Sequence, residues 1–361
     1  MPFTHAKPIA STPCAKVYWL ASADYARRTG GYVYNSALNQ ALMRQGIEVH
    51  PLMLKTGFPS VSRSERVQLA GEVARLGTGA VILTDHIYLC DLLEVFAQTD
   101  VSVVSIFHHS LVMEHGQADD DQARKLRARE QAAMQRSSRI LVTSQDTARY
   151  IAAHYGVAED RIHVAVPGND RVERASVGAR GLPISILSVG AIIPRKRYDY
   201  ILDVAAALCD DDWRWSIVGD PQRYPEHAAA LAASADALGL SHRLAFLGDV
   251  SETALEALWQ ATDLYVAASF YEGYGMAVAE AFRHGVPVIT TASGAVSSWA
   301  SGGIIQAPAE DAPAMAALIR PLLARTQDLY ALSHAAWDFG QTLPSWEETF
   351  ESVGTWVVGG G

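Results

Sequence analysis

Short apolar runs rich in Val and Ile alternate with longer stretches whose apolar positions recur every three or four residues, a pattern that predicts strands and helices in turn. In the first half, strands are expected at 16–20, 48–52, 80–84, 101–107 and 139–143, with helices at 31–45, 89–98 and 123–136. The segment 167–183, PGNDRVERASVGARGLP, breaks the pattern with Gly, Pro and charge and reads as a linker. The alternation then restarts. Strands are expected at 184–189, 213–218, 244–247, 264–267, 286–289 and 304–306, and helices at 198–208, 225–238, 251–260, 275–284 and 312–324. Strands separated by helices bury both faces of a parallel sheet, so each half is expected to be a doubly wound, Rossmann-like α/β unit. The division is an N-terminal domain over 1–175, a C-terminal domain over 176–344, and a tail over 345–361. The tail carries a helical pattern over 345–358, with Trp346, Phe350 and Val353 on one face, and is expected to pack back on the first domain.

A chain of 361 residues has the length for two such domains with a cleft between them. Apolar residues make up 49% and charged ones 19%, and no stretch reaches the roughly 18 apolar residues of a membrane span. Residues 1–13 hold a lone Lys7 and no apolar core, so the expected location is the cytoplasm. The net charge is −10, and of the 29 Lys and Arg only 9 lie after residue 180, against 21 Asp and Glu there. That balance argues against nucleic-acid binding, whose affinity comes from neutralising phosphates. A small anion can still be held by a few local cations and a helix N-terminus. Cys14, Cys90 and Cys209 are odd in number and scattered, so they are expected to be small buried residues without a disulfide or zinc role.

The segment with most chemistry is 269–289, SFYEGYGMAVAEAFRHGVPVI. It joins a strand to a helix through Glu272, Gly273, Tyr274 and Gly275, and Met276 and Glu280 follow in that helix. Glycines let backbone approach a ligand closely, and a helix start offers unpaired N–H groups and a positive dipole end to a diphosphate. Carboxylates beside the loop can each accept two hydroxyls of a ribose or hexose. A second segment, LSVGAIIPRKRYD at 187–199, ends a strand at Gly190 and sets Arg195 and Lys196 at the opening of the next helix, where paired cations oppose the dipole unless an anion sits there.

Glu272 and Glu280, separated by seven residues, with the aromatic-flanked glycines between them and a GVPVI strand after them, resemble the E-x7-E signature of retaining GT-B glycosyltransferases, the family-four group. The Gly-x-x-x-Pro-Arg-Lys loop resembles the same family. The resemblance implies a GT-B fold, a nucleoside-diphosphate-sugar donor in the C-terminal domain and a hydroxyl acceptor, glycan, lipid-linked or small, held mainly by the N-terminal domain. It further implies that Arg195 and Lys196 steady the leaving diphosphate, that Glu272 meets the donor sugar and Glu280 the ribose, and that backbone at Phe246, Leu247 and Gly248 faces the base. Gly190, Gly273, Tyr274, Gly275 and Met276 would complete the donor pocket. Two departures stand out: Ala191 where members often carry Arg, and Ser297 or Ser298, in SGAVSSW, where Glu is common.

In the first half, Thr29, Gly30 and Gly31 precede a helix after the first strand and resemble the family's glycine turn. No G-x-G-x-x-G follows that strand, which disfavours an NAD oxidoreductase. His108 and His109 leave a strand towards the sheet's C-terminal end, where ligands gather. The resemblance implies that a histidine here, best His108, contacts the donor sugar; Glu114 and His115 are acceptor-side candidates. The acidic triplets 119–121 and 210–212 do not follow strand ends and are expected to be solvated, so no metal or other cofactor is expected. The rival readings are a nucleotide-sugar epimerase of the same fold, a phosphorylase, for which neither Lys125 nor Lys196 carries a pyridoxal motif, and a non-catalytic sugar-nucleotide-binding protein.

Overall fold

The computed structural model describes residues 15–22, 29–55, 61–115, 120–179, 181–291, 294–324 and 326–359. In the first half the chain runs through β1 (Lys16–Ser22), α1 (Gly30–Arg44), β2 (Glu48–Leu54), α2 (Arg63–Ala74), β3 (Val81–Asp85), α3 (His86–Phe96), β4 (Ser102–Phe107), α4 (Leu111–His115), α5 (Asp121–Arg136), β5 (Arg139–Val142), α6 (Gln145–Tyr155) and β6 (Ile162–Val164). The second half contributes β7 (Ile184–Val189), α7 (Tyr198–Ala207), β8 (Trp213–Val218), α8 (Pro225–Ala237), β9 (Leu244–Gly248), α9 (Glu252–Gln260), β10 (Leu264–Ala267), α10 (Met276–Arg283), β11 (Val288–Thr291), α11 (Val296–Trp299), β12 (Ile304–Ala307), α12 (Ala312–Ala324) and α13 (Thr326–Gly340). Two short helices, α14 (Trp346–Phe350) and α15 (Val353–Val358), end the described chain.

The strands form two six-stranded sheets, ordered β2-β1-β3-β4-β5-β6 and β12-β11-β10-β7-β8-β9, and every pairing is parallel. This is the pair of doubly wound units that the alternation predicts. In each sheet the order reverses next to the first strand, so β1/β3 and β7/β10 are switch points, and ligands gather outside the carboxyl ends there. Helices on both faces bury each sheet: Trp213, Trp215 and Trp259 fill one core and Phe96, Phe107 and Tyr155 the other.

Some expectations are corrected. Residues 345–358 form two helices, not one, because the chain turns at Glu351 and Ser352. Helix α2 escapes the periodicity because its sequence is largely polar; a capping box between Ser62 and Glu65 starts it. The Ser144 cap and left-handed Gly156 likewise bracket α6. Cys90 is buried as expected, but Cys209 is exposed at the turn after α7, and Cys14 lies outside the described residues.

Phe350, Val353 and Val357 pack with Tyr34, Leu38 and Val17 in the first domain's core. Gln45 Nε2 donates to the Phe350 carbonyl at 2.6 Å, and Arg139 Nη1 donates to that of Trp356 at 2.6 Å. Where the chain leaves the first domain it touches its own return. The Asn169 N–H donates to the Pro344 carbonyl at 2.9 Å, and a Cβ on Gly168 would lie 2.3 Å from the Trp346 nitrogen.

Candidate donor site

The loop after β7 does not start the next helix with Arg195 and Lys196. They form a 3-10 turn, Pro194–Lys196, and α7 begins two residues on, because Arg197 takes a left-handed conformation (φ 53°, ψ 49°). Arg197, as buried as Arg195, goes a different way: it donates to the Ala309 carbonyl, and its guanidinium lies 4.6 Å from the Tyr200 ring centroid and 4.4 Å from that of Phe270. The turn therefore splits the three cations, leaving Arg195 and Lys196 on Glu272 and Arg197 on Glu310. Gly190 leaves room for this: a Cβ there would sit 2.8 Å from Lys196 Cε.

Glu272 receives both cations. Lys196 Nζ donates to Glu272 Oε1 at 2.6 Å, and Arg195 Nη1 lies 3.3 Å from Oε2. Burial would raise the Glu272 carboxyl, but the charges of Lys196 and Arg195 outweigh it and hold the group well below the ordinary carboxylate range. Burial pulls the Lys196 ammonium down, and Arg195 beside it adds to that, against the opposing pull of Glu272. Arg195 also donates to the Tyr271 carbonyl, and its buried Nε has no partner among the described residues. The three charges form a compact, largely buried cluster with one net positive charge, suited to an arriving anion.

The glycines of 273–275 are set by contact. A Cβ on Gly273 would lie 2.0 Å from the His108 carbonyl oxygen, and one on Gly275, at φ 94°, would strike Val296. Gly275 caps α10, whose first N–H groups face the same region. Met276, the first residue of α10, lies over Gly30, and Gly31 lies against the His108 ring: added Cβ atoms would come within 3.0 Å of the Met276 sulfur and 3.3 Å of His108 Cδ2. The two glycines are the first turn of α1 itself, not a turn before it. Tyr274 turns away; its ring is buried and stacks on Trp299 at 4.8 Å, leaving only its backbone for a ligand.

Glu280, in the second turn of α10, is pushed up to about 7, by burial first and then by the charges of Glu256 and Asp170, against a Trp259 hydrogen bond and the charge of Lys196. Phe246, Leu247 and Gly248 end the edge strand β9, with Leu247 exposed, and the Gly248 carbonyl accepts from Gly219 N–H at 2.9 Å. Ser298 bonds to Asp146 of the other domain, while Ser297 bonds back to the Gly294 carbonyl.

From the first domain, His108 Nε2 is 3.1 Å from Asn35 Oδ1 and 3.3 Å from Asp85 Oδ2. His109 Nε2 is 3.3 Å from Glu114 Oε2, and Glu114 Oε1 accepts from Arg223 of the second domain at 2.7 Å. Burial and the charge of Arg195 lower the His109 imidazole, whereas His109 and Arg223 bring the Glu114 carboxyl down to about 2 against its burial. A cavity of about 140 Å³ lies here, lined by Glu114, Ile193, Pro194, Arg195 and Tyr224. The side chain of His115 is outside the described set. Asp85, Asn35 and Arg223 were not expected from the sequence. Asp85 could have been found by the same rule that singled out His108, because it ends β3 beside β4.

The description "Glycosyl transferases group 1" matches residues 169–336, and "Glycosyltransferase Family 4" matches residues 82–171. The D-inositol 3-phosphate glycosyltransferase of Mycobacterium tuberculosis is 33% identical over 188 residues, covering 48% of this chain and 38% of that protein. The chain thus spans well under half the length of that relative. In fold, a sucrose-phosphate synthase from Thermosynechococcus elongatus superposes with a TM-score of 0.80 at 19% identity, covering 95% of this chain and 98% of its own. Anabaena HepE in complex with UDP and glucose gives 0.74 at 17%, covering 94% and 98%. Paired Rossmann-like sheets and two adjoining family matches agree: the chain belongs to the family-four type of GT-B glycosyltransferases.

Proposed function

We propose that the protein moves a sugar from a nucleoside-diphosphate sugar to a hydroxyl acceptor with retention at the anomeric carbon. The observation that carries this is the Arg195–Lys196–Glu272 cluster at the start of α10, facing His108 across the domain boundary. In this reading the diphosphate sits between the two cations and the N-terminal N–H groups of α10. Glu280 takes the ribose hydroxyls, Glu272 and His108 take the donor sugar, and the ends of β8 and β9 take the base.

As the bond from the anomeric carbon to the diphosphate oxygen breaks, its electron pair stays on that oxygen, where Arg195 and Lys196 oppose the charge. The acceptor oxygen bonds to the carbon on the face the diphosphate leaves, and the acceptor proton passes to a leaving phosphate oxygen. Glu272, tied to two cations, is not a nucleophile, unlike the paired carboxylates of glycosidases. Of the acids in the two triplets, Asp120 caps α5, Asp121 pairs with Arg124, and Asp211 pairs with Arg320. The proposed reaction uses no divalent metal, and the proposed location is the cytoplasm.

UDP is the first nucleotide to try, since HepE is described with UDP and UDP-glucose. A thermal-shift panel of UDP, GDP, ADP and dTDP should pick one, with about 2.7 kcal/mol of stabilisation at a hundredfold excess over Kd. Arg195→Ala or Lys196→Ala should slow donor hydrolysis by about a hundredfold. No nucleotide shift, or both variants within twofold of wild type, refutes the phosphate assignment.

A further inference from the structure

Strands β3 and β4 run side by side, with Asp85 in register with Ile106, so Asp85 and His108 emerge together at the carboxyl end of the sheet. His108 Nε2 faces two oxygens, Asp85 Oδ2 at 3.3 Å and Asn35 Oδ1 at 3.1 Å. An ionised carboxylate only accepts hydrogen bonds, so the nitrogen between them carries the proton. The ring is held edge-on to Tyr34, with centroids 5.3 Å apart, and rests on Gly31. Among the described residues its Nδ1 meets no hydrogen-bond partner.

Asp85 is itself fixed from behind. Its Oδ1 accepts the Ile87 N–H at 3.1 Å, capping α3, and lies 3.2 Å from His86 Nδ1, close enough for an ion pair though not aligned as a hydrogen bond. The far nitrogen of His86 is 3.3 Å from Glu130 Oε1. Glu130, fully buried on α5, also accepts from Ser110 Oγ at 2.6 Å, Tyr155 OH at 2.7 Å and the Leu111 N–H at 2.6 Å. One row of alternating charge thus fixes both the His108 ring and the loop that follows it. Such rows contribute little net stability and much orientation.

We propose that Asp85 is a positioning residue that locks His108 as its Nε2–H tautomer, so that Nδ1 is the ring nitrogen offered to the donor sugar. The last step rests on the donor reading above; the lock itself does not. The test uses the full chain labelled with ¹⁵N, and long-range proton–nitrogen spectra of the histidine rings, with His108 assigned by its loss in His108→Gln. The wild type should show the Nε2–H form. An Nδ1–H form overturns the proposal before Asp85 itself is substituted.

Asp85→Asn keeps the α3 cap, since Asn caps as well as Asp, but its amide can donate to Nε2. The Nδ1–H form should then rise at least about tenfold relative to wild type. An unchanged ratio in a folded Asp85→Asn overturns the proposal. With UDP-glucose as probe, the same variant should lose about tenfold in hydrolysis kcat with KM within about twofold. If the wild type fails to turn over UDP-glucose, the donor reading suffers, and the ring spectrum still decides on Asp85.

Discussion

Glu280 makes the donor reading testable through protons. Its carboxyl is raised from an ordinary 4.5 to about 7, so the folded chain binds a proton here that the unfolded chain has released between those values. Stability contributed by this group is therefore lost as pH rises from about 4.5 through 7. The difference of about 2.5 units corresponds to about 3 kcal/mol of destabilisation at pH 8. Glu280→Gln, which can still accept from Trp259, should be near neutral at pH 5 and more stable than wild type at pH 8 by up to that amount. A ribose is best held by the ionised form, so nucleotide binding should release a proton. Affinity should then weaken on the order of a hundredfold from pH 8 to pH 5. Titration of the nucleotide's own phosphate cancels in the ratio of wild-type to Glu280→Gln affinity, measured by calorimetry at each pH. A ratio that stays constant from pH 5 to 8 refutes the reasoning, as does a stability difference between the two proteins that does not change with pH.

Two further outcomes concern the first domain. Burial lowers the His86 imidazole, but Asp85 and Glu130 outweigh it and raise it to about 9 from an ordinary 6.5, so its contribution is complete below pH 6.5 and is lost as pH rises through 9. His86→Gln should flatten the stability profile across that window by up to about 3 kcal/mol in chemical denaturation, and a profile as steep as wild type refutes the pairing. Phe350→Ala, which empties a fully buried site against Tyr34, should cost about 3–5 kcal/mol; a loss below 1 kcal/mol would show that the tail is not part of that core.

Much of this was legible in the sequence, for reasons that differ by residue. Strands such as 184–189 and 213–218 were found to the residue because their short runs rich in Ile, Val and Trp are bounded by Pro, Gly and acidic turn residues. Helix α2 was missed because only Leu69 and Val73 of its residues are buried, so it shows mostly polar positions, and only its cap announces it. Glu272 and Lys196 were legible as candidates, but their 2.6 Å pairing was not: it depends on the left-handed Arg197, which nothing local demands of an arginine. Tyr274 reads as a ligand contact because it sits between two glycines of the candidate loop, whereas the partner it stacks on, Trp299, lies 25 residues away. Asp85 looked like a helix cap, which it is, and its second oxygen becomes meaningful only once β4 is placed beside β3.

The chain passes between the domains twice, and the two passages touch at Gly168, Asn169, Pro344 and Trp346. A single linker would leave the halves free to twist and slide like beads on a thread. Two passages tied at Asn169 and Pro344 constrain the halves as the pin of a pair of tongs does: it favours swinging over sliding. A small angle at the pin becomes a larger displacement at the far jaws, where Gly273 meets His108 and Arg223 meets Glu114. Bulk added at Gly168 would therefore be felt at those jaws, far from any atom that a sugar touches.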